Sequence, residues 1–168
     1  MNGKESVLTE NRELTGSIFE GWHTFQGALI KALQPLESDQ LALRVSPNLR
    51  SVGEIARHIV GARARWFHML LGEGGDAFAA LGTWDRLDAP ERSAHEIVAG
   101  LETTWRGMHA AIACWTPDEW RQTYPGDKDE PELITRQWVI WHLIEHDLYH
   151  GGEISLTLGM HGVRGVDL

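Results

Sequence analysis

Residues 138–153 read WVIWHLIEHDLYHGGE, with His142, His146 and His150 four apart and Glu145, Asp147 and Glu153 among them. On an α-helix, at about 100° per residue, His146 lies about 40° from His142 and His150 about 80° away. Tyr149 and Glu153 return to within about 20° of His142, so hydrogen-bonding groups crowd one face. Imidazoles at i and i+4 can present their nitrogens to one ion, which is why H-x3-H recurs in helical metal sites. Two ligands on one helix need a third from elsewhere. The best source is His58, four residues after Glu54 and beside the small residues Ala56, Gly61 and Ala62. A core histidine is more often simply hydrogen-bonded than ligating, so His58 alone would carry little weight. His23, His68, His95, His109 and His161 read as surface or packing residues.

Two other metal signatures compete. His142-Leu143-Ile144-Glu145-His146 matches H-x-x-E-H, in which two histidines bind zinc and the glutamate is a general base. That arrangement takes a further acidic ligand from well downstream, and only 22 residues follow His146. Glu145 also lies about 60° off the His142 direction, away from His150. A di-iron site would need paired Glu-x-x-His motifs, which are absent.

Four long amphipathic segments must position these groups. The first runs from about Thr9 to Leu36 and stops around Pro35, with Leu14, Ile18, Trp22, Phe25, Leu29 and Leu33 at three- and four-residue steps. A connection over about 37–50 follows. Ser51 with Glu54 forms a capping-box signature for the second helix, expected to end near Gly72. DAFAALGTWDRLDAP reads as a loop. Pro90 opens a third helix towards Trp115, and Thr116-Pro117-Asp118-Glu119 marks one short capped helix. RQTYPGDKDEPEL is a polar loop with a short extended piece. The fourth helix spans Pro131 or Glu132 to Leu158, with Gly159 as its stop. No strand pattern of useful length appears. The expected fold is all-α: a four-helix bundle in a single domain, 1–168, with one or two longer crossover connections, about 37–50 and 72–89.

With 168 residues, 42% hydrophobic and 23% charged, the chain has the balance of a soluble globular protein. A net charge of −9 and no dense Lys/Arg cluster argue against nucleic acid or an anionic membrane as partner. The single cysteine, Cys114, excludes an intrachain disulfide and a multi-cysteine zinc site. No signal-like segment opens the chain, so a cytoplasmic location is expected. Eight tryptophans and a last helix apolar over most of its circumference suggest subunit contact, hence a homodimer.

The pairing of SVGEIARHIVGARARWFHMLLG with HLIEHDLYHGGEISLTLGMHG resembles the DinB-like family of damage-inducible, metal-dependent proteins, over essentially the whole chain. Matched by position, the resemblance implies His58 as the first ligand and His146 and His150 as the H-x3-H pair, with Gly152 and Ile154 completing the motif. His142 lies outside that pattern and becomes a pocket residue. The family implies a divalent metal, zinc or nickel, on three histidines with positions open to water or substrate. Relatives include bacillithiol transferases and mycothiol-dependent maleylpyruvate isomerase.

Two functions follow. In one, the protein is a hydrolase or thiol-dependent transferase that activates water or a low-molecular-weight thiol against a small-molecule substrate. Glu54, Tyr149 and Glu153 are then candidates for proton transfer or for orienting the ligands. Arg63 and Arg65 are candidates to bind an anionic substrate, and Trp66 and Trp141 to line the pocket. In the other, the bundle binds a metal or small ligand without catalysis. Coordination separates them: three histidines plus an open position favour chemistry, and a closed site favours structure.

Overall fold

The computed structural model describes the backbone of residues 3–126 and 132–168, and the side chains from residue 16 onward over the same spans. The element order is α1 (Gly3–Leu33), α2 (Ser38–Leu41), α3 (Val52–Arg65), a π-helical turn (Trp66–Leu70), α4 (Gly75–Leu81), α5 (Ala94–Cys114), α6 (Pro117–Trp120), β1 (Thr123–Pro125), β2 (Leu133–Thr135) and α7 (Arg136–Met160).

Local chemistry sets these boundaries. α1 buries Trp22, Phe25, Leu29 and Leu33 and ends two residues before Pro35. Ile18, expected on that apolar stripe, is more than half exposed, and the side chain of Leu14 lies outside the described residues. α3 starts on the predicted capping box: the Ser51 hydroxyl accepts from Glu54 N–H at 3.2 Å, and Ser51 N–H donates to Glu54 Oε2 at 2.6 Å. The chain then widens into the π turn and ends at Gly72, whose φ of 71° suits a residue without Cβ.

Three boundaries differ from the sequence reading. The stretch after Asp76 is not a plain loop, because Gly75–Leu81 forms α4 and drives Phe78 into the core. α5 begins at Ala94 on a Ser93–Glu96 capping box rather than at Pro90; the carbonyls of Ala89 and Pro90 instead accept from Arg57. α7 begins at Arg136, with Thr135 Oγ1 accepting from Trp138 N–H at 3.1 Å. Residues 133–135 before it are extended and pair antiparallel with 123–125; Pro131 lies outside the described residues. α7 also runs through Gly159. Its C-terminal turn closes at Gly162, at φ 72°, where Val163 N–H reaches Leu158 O at 2.9 Å.

α1, α3, α5 and α7 form a four-helix bundle in which α3 packs on α5 and α7, and α1 packs on the same two. Trp22 and Phe25 of α1 meet Asp147 and Gly151 of α7, so these helices run parallel. Trp22 faces Trp105 and Gln26 reaches Leu101, which makes α1 antiparallel to α5. α3 runs antiparallel to α7 and therefore parallel to α5. Two successive parallel helices need a long connection, and residues 71–93, carrying α4, supply it.

The apolar interior falls into two clusters. Leu29, Leu33, Ile55, Ile59, Ile97 and Leu158 fill one, and Trp22, Phe67, Phe78, Met108, Val139 and Leu143 the other. Between them lies a polar layer in which Arg63 and Asp147, both fully buried, form an ion pair at 2.6 Å. The Trp22 indole N–H also donates to Asp147 Oδ2 at 2.6 Å. Such a pair is costly to desolvate and worse to break, so it locks α1, α3 and α7 in one register. No helix among the described residues is long and apolar enough to cross a membrane.

Candidate metal centre

The antiparallel α3/α7 seam brings His58 opposite His146 and His150. Ring centroids lie 4.8 Å apart for His58–His146 and for His58–His150, and 4.4 Å for His146–His150. One nitrogen from each ring belongs to a group whose members all lie within 4.8 Å of one another. The closest approach is His58 Nε2 to His146 Nε2, 3.1 Å. Two nitrogens bound to one tetrahedral zinc at ordinary bond lengths would stand about 3.3 Å apart.

The far sides of the rings decide which nitrogens are free. His58 Nδ1 sits 2.7 Å from Asp85 Oδ2, and His150 Nδ1 sits 2.6 Å from Glu153 Oε2. A carboxylate can only accept, so each Nδ1 carries the proton and each Nε2 keeps a lone pair. Ligating histidines are usually oriented in this way, by a second hydrogen bond. His146 is different. Its Nδ1 is buried with no partner among the described residues, while its Nε2 faces the Nε2 lone pair of His58. A proton on His146 Nε2 would satisfy that contact but leave His150 Nε2 outside it; a cation uses all three lone pairs. The donor set therefore fits a divalent metal.

Electrostatics agree. Burial, and then the neighbouring His150, His58, His142 and Arg63, push the His146 pKa down from 6.5 to about 2. Burial also lowers that of His150, against the opposing pull of Glu153. Neutral imidazole is the ligating form, so neither ring has to surrender a proton near neutral pH. Asp85 shows a balance of opposite sign. Burial raises its pKa, but hydrogen bonds from His58 and Arg65 prevail and hold it near 2. The carboxylate is thus ionised where it accepts from His58.

The remaining candidates separate clearly. His142 stacks on Trp138 at 5.0 Å with 6° between the planes, and its Nδ1 lies 3.1 Å from Glu145. It borders the triad, 5.9 Å between centroids from His146, and is not one of the three facing rings. Trp66 meets the edge of His142 at 5.0 Å. Trp141 points outward and is 61% exposed, so it lines no pocket here. Tyr149 is exposed beside His150, ring to ring 5.0 Å. Glu54 is occupied by the α3 capping box and by Arg44 at 2.7 Å, which leaves it no place in the triad. Arg63 is committed to Asp147 in the interior, where no substrate can reach it, and Arg65, about one-third exposed, pairs with Asp85.

Asp85 was not anticipated. It comes from the α4–α5 connection, where no periodicity marks it, and it arrives because Arg57 donates to the carbonyls of Trp84, Ala89 and Pro90 at 2.9–3.2 Å. Gly61 makes room for it: a Cβ there would stand 2.8 Å from Asp85 Oδ1. A groove of about 560 Å³ lies elsewhere, between α1 and α5 beside His23, Trp105 and His109. Among the described residues it holds no comparable convergence of ligating atoms. We therefore place the candidate centre at the histidines, on donor chemistry rather than volume.

Known proteins agree with this architecture. The model of the DinB family matches residues 8–166. A crystal structure of a DinB-like protein from Bacillus cereus superposes with a TM-score of 0.69 at 20% identity, covering 89% of this chain and 94% of that one. At that identity the likeness speaks for the fold alone. None of the curated proteins matches the chain.

Proposed function

The chain belongs to the DinB family, and from the geometry of its three facing histidines we propose that it is a metal-dependent enzyme. His58, His146 and His150 would hold one divalent ion, zinc or nickel. The reaction would be hydrolysis or thiol transfer on a small electrophile. Bound there, such an ion would lower the pKa of water or of a low-molecular-weight thiol and polarise the electrophile.

The chain's own groups would do the rest. Asp85 and Glu153 hold the outer protons of His58 and His150 and so aim the inner lone pairs. Glu153 is about one-third exposed and uses Oε2 on His150, which leaves Oε1 to take a proton from a nucleophile. Tyr149, exposed beside His150, would donate to a substrate oxygen. The stacked pair Trp138–His142 and the Trp66 ring would wall one side of the site.

One observation carries this reading: among the described residues the metal-capable group has three protein donors, not four. Three donors leave an open position, and a closed four-ligand site would have indicated a structural ion. The second reading, a metal- or ligand-binding bundle without catalysis, draws on the α1/α5 groove of about 560 Å³, which lies apart from the histidines.

Elemental analysis of the purified protein beside His58→Ala/His150→Ala tests the proposal. Stoichiometric zinc or nickel in the parent and none in the folded variant supports it, after which thiols are screened against electrophiles. Equal trace metal in both, even after loading, overturns it. Metal without turnover across the screen favours the binding bundle.

A further inference from the structure

The outward face of α7 is apolar to a degree the rest of the surface is not. Trp141, Leu148, Leu156 and Met160 are 61%, 47%, 60% and 62% exposed. They fall, with Gly152 and Gly159, inside an arc of about 120° of the helix. Glu145 is the one charged side chain among the exposed residues of that arc. On a molecule of net charge −9, a stripe of this kind is where a second negative copy meets the least repulsion. Contiguous exposed apolar surface of this size marks an interaction site.

The stripe is also self-complementary. Nothing lies within 4 Å of where a Cβ on Gly152 or Gly159 would stand, so both leave open notches between bulky neighbours. Pair two such helices antiparallel about a two-fold axis at Gly152, and Leu148 of one copy faces Leu156 of the other. Glu145 then faces Gly159 rather than a second Glu145. A parallel pairing would set glutamate on glutamate and tryptophan on tryptophan. Isologous contact of this kind is the commonest route to a dimer. The exposed apolar side chains offer on the order of 500 Å² per copy, and the polar atoms between them bring the seam towards the roughly 800 Å² per partner of a stable interface.

We infer that the protein is a homodimer joined through an antiparallel α7–α7 seam centred on Gly152. Tyr149 sits at the edge of the stripe and touches the ring of His150, so the seam brings the second copy to the rim of the histidine site. The inference stands whether or not that site holds metal.

Sedimentation equilibrium and directed cross-linking test it. The parent should sediment at about twice 18.9 kDa at micromolar concentration. Leu148→Glu/Leu156→Glu should weaken association at least about a hundredfold, because each copy would then bury unpaired carboxylates. In a Cys114→Ser background, Gly152→Cys should oxidise to a disulfide-linked dimer, needing no disruptive substitution. Gln137→Cys, whose mate would lie about 45 Å away along the seam, should not. A monomeric parent, a dimer indifferent to both glutamates, or cross-linking at Gln137→Cys but not Gly152→Cys each overturns the inference.

Discussion

Asp85→Asn isolates what the crossover contributes to the histidine centre. In the native protein one carboxylate oxygen accepts from His58 Nδ1 at 2.7 Å and the other from Arg65. The asparagine keeps the shape and one acceptor, but its amide nitrogen becomes a donor that must face either Arg65 or His58 Nδ1. Either choice sets two donors against each other in a partly buried site. If the Arg65 contact survives, His58 loses the partner that fixes its proton at Nδ1, and its Nε2 is no longer held ready as a lone pair. Loss of such an orienting acceptor costs about 10–100-fold in metal affinity, which is about 1.4–2.7 kcal/mol. The change in fold stability should be smaller, because Asp85 lies outside the main core and Arg57 holds the crossover through three other contacts. Titrating zinc into parent and variant against a chromogenic chelator measures the difference, with circular dichroism reporting the fold. Arg65→Met, which spares the His58–Asp85 contact, should lose much less. A variant that keeps zinc affinity within twofold of the parent would refute the argument that Asp85 orients His58.

Further predictions rest on independent contacts. Gly61→Ala should reproduce the Asp85→Asn loss of zinc affinity, since the new methyl would stand 2.8 Å from Asp85 Oδ1 and displace it; unchanged affinity would show that the carboxylate adapts. Asp147→Ala leaves the fully buried Arg63 guanidinium unpaired. It should cost about 3–5 kcal/mol, a large share of a typical domain's stability, and a urea midpoint within error of the parent's would contradict it. In chelator-treated protein, stability should fall as pH drops below 6.5. There the unfolded chain binds a proton that folded His146, with its pKa near 2, refuses. At pH 5.5 the loss from His146 is about 1.4 kcal/mol, and urea melts of His146→Gln should show a shallower slope between pH 7.5 and 5.5. An equal slope in both proteins would remove His146 as the cause.

Much was legible in the sequence because it was local. The periods of Trp22, Phe25, Leu29 and Leu33, and of Ile55, Ile59 and Ala62, encode faces that must be buried, and Ser51 with Glu54 encodes a helix start. The four spacing of His146 and His150 places two imidazoles on one face whatever α7 packs against. Pattern alone made His58 the best candidate for a third partner, and the family resemblance strengthened the match, since periodicity puts it on an apolar helix without saying what that helix meets. Tertiary packing decided the rest. Glu54 serves the helix cap and Arg44, because Ser51 N–H and the Arg44 guanidinium converge on its Oε2. Arg63, with the composition of an anion binder, is buried on Asp147 because three helices converge there. Asp85 reaches His58 across 27 positions only because Arg57 and Gly61 fix where the crossover runs. Helical repeat is a property of a few consecutive residues, so the sequence by itself determines faces and caps; which carboxylate meets which imidazole depends on how separate segments pack, and only the folded chain settles that.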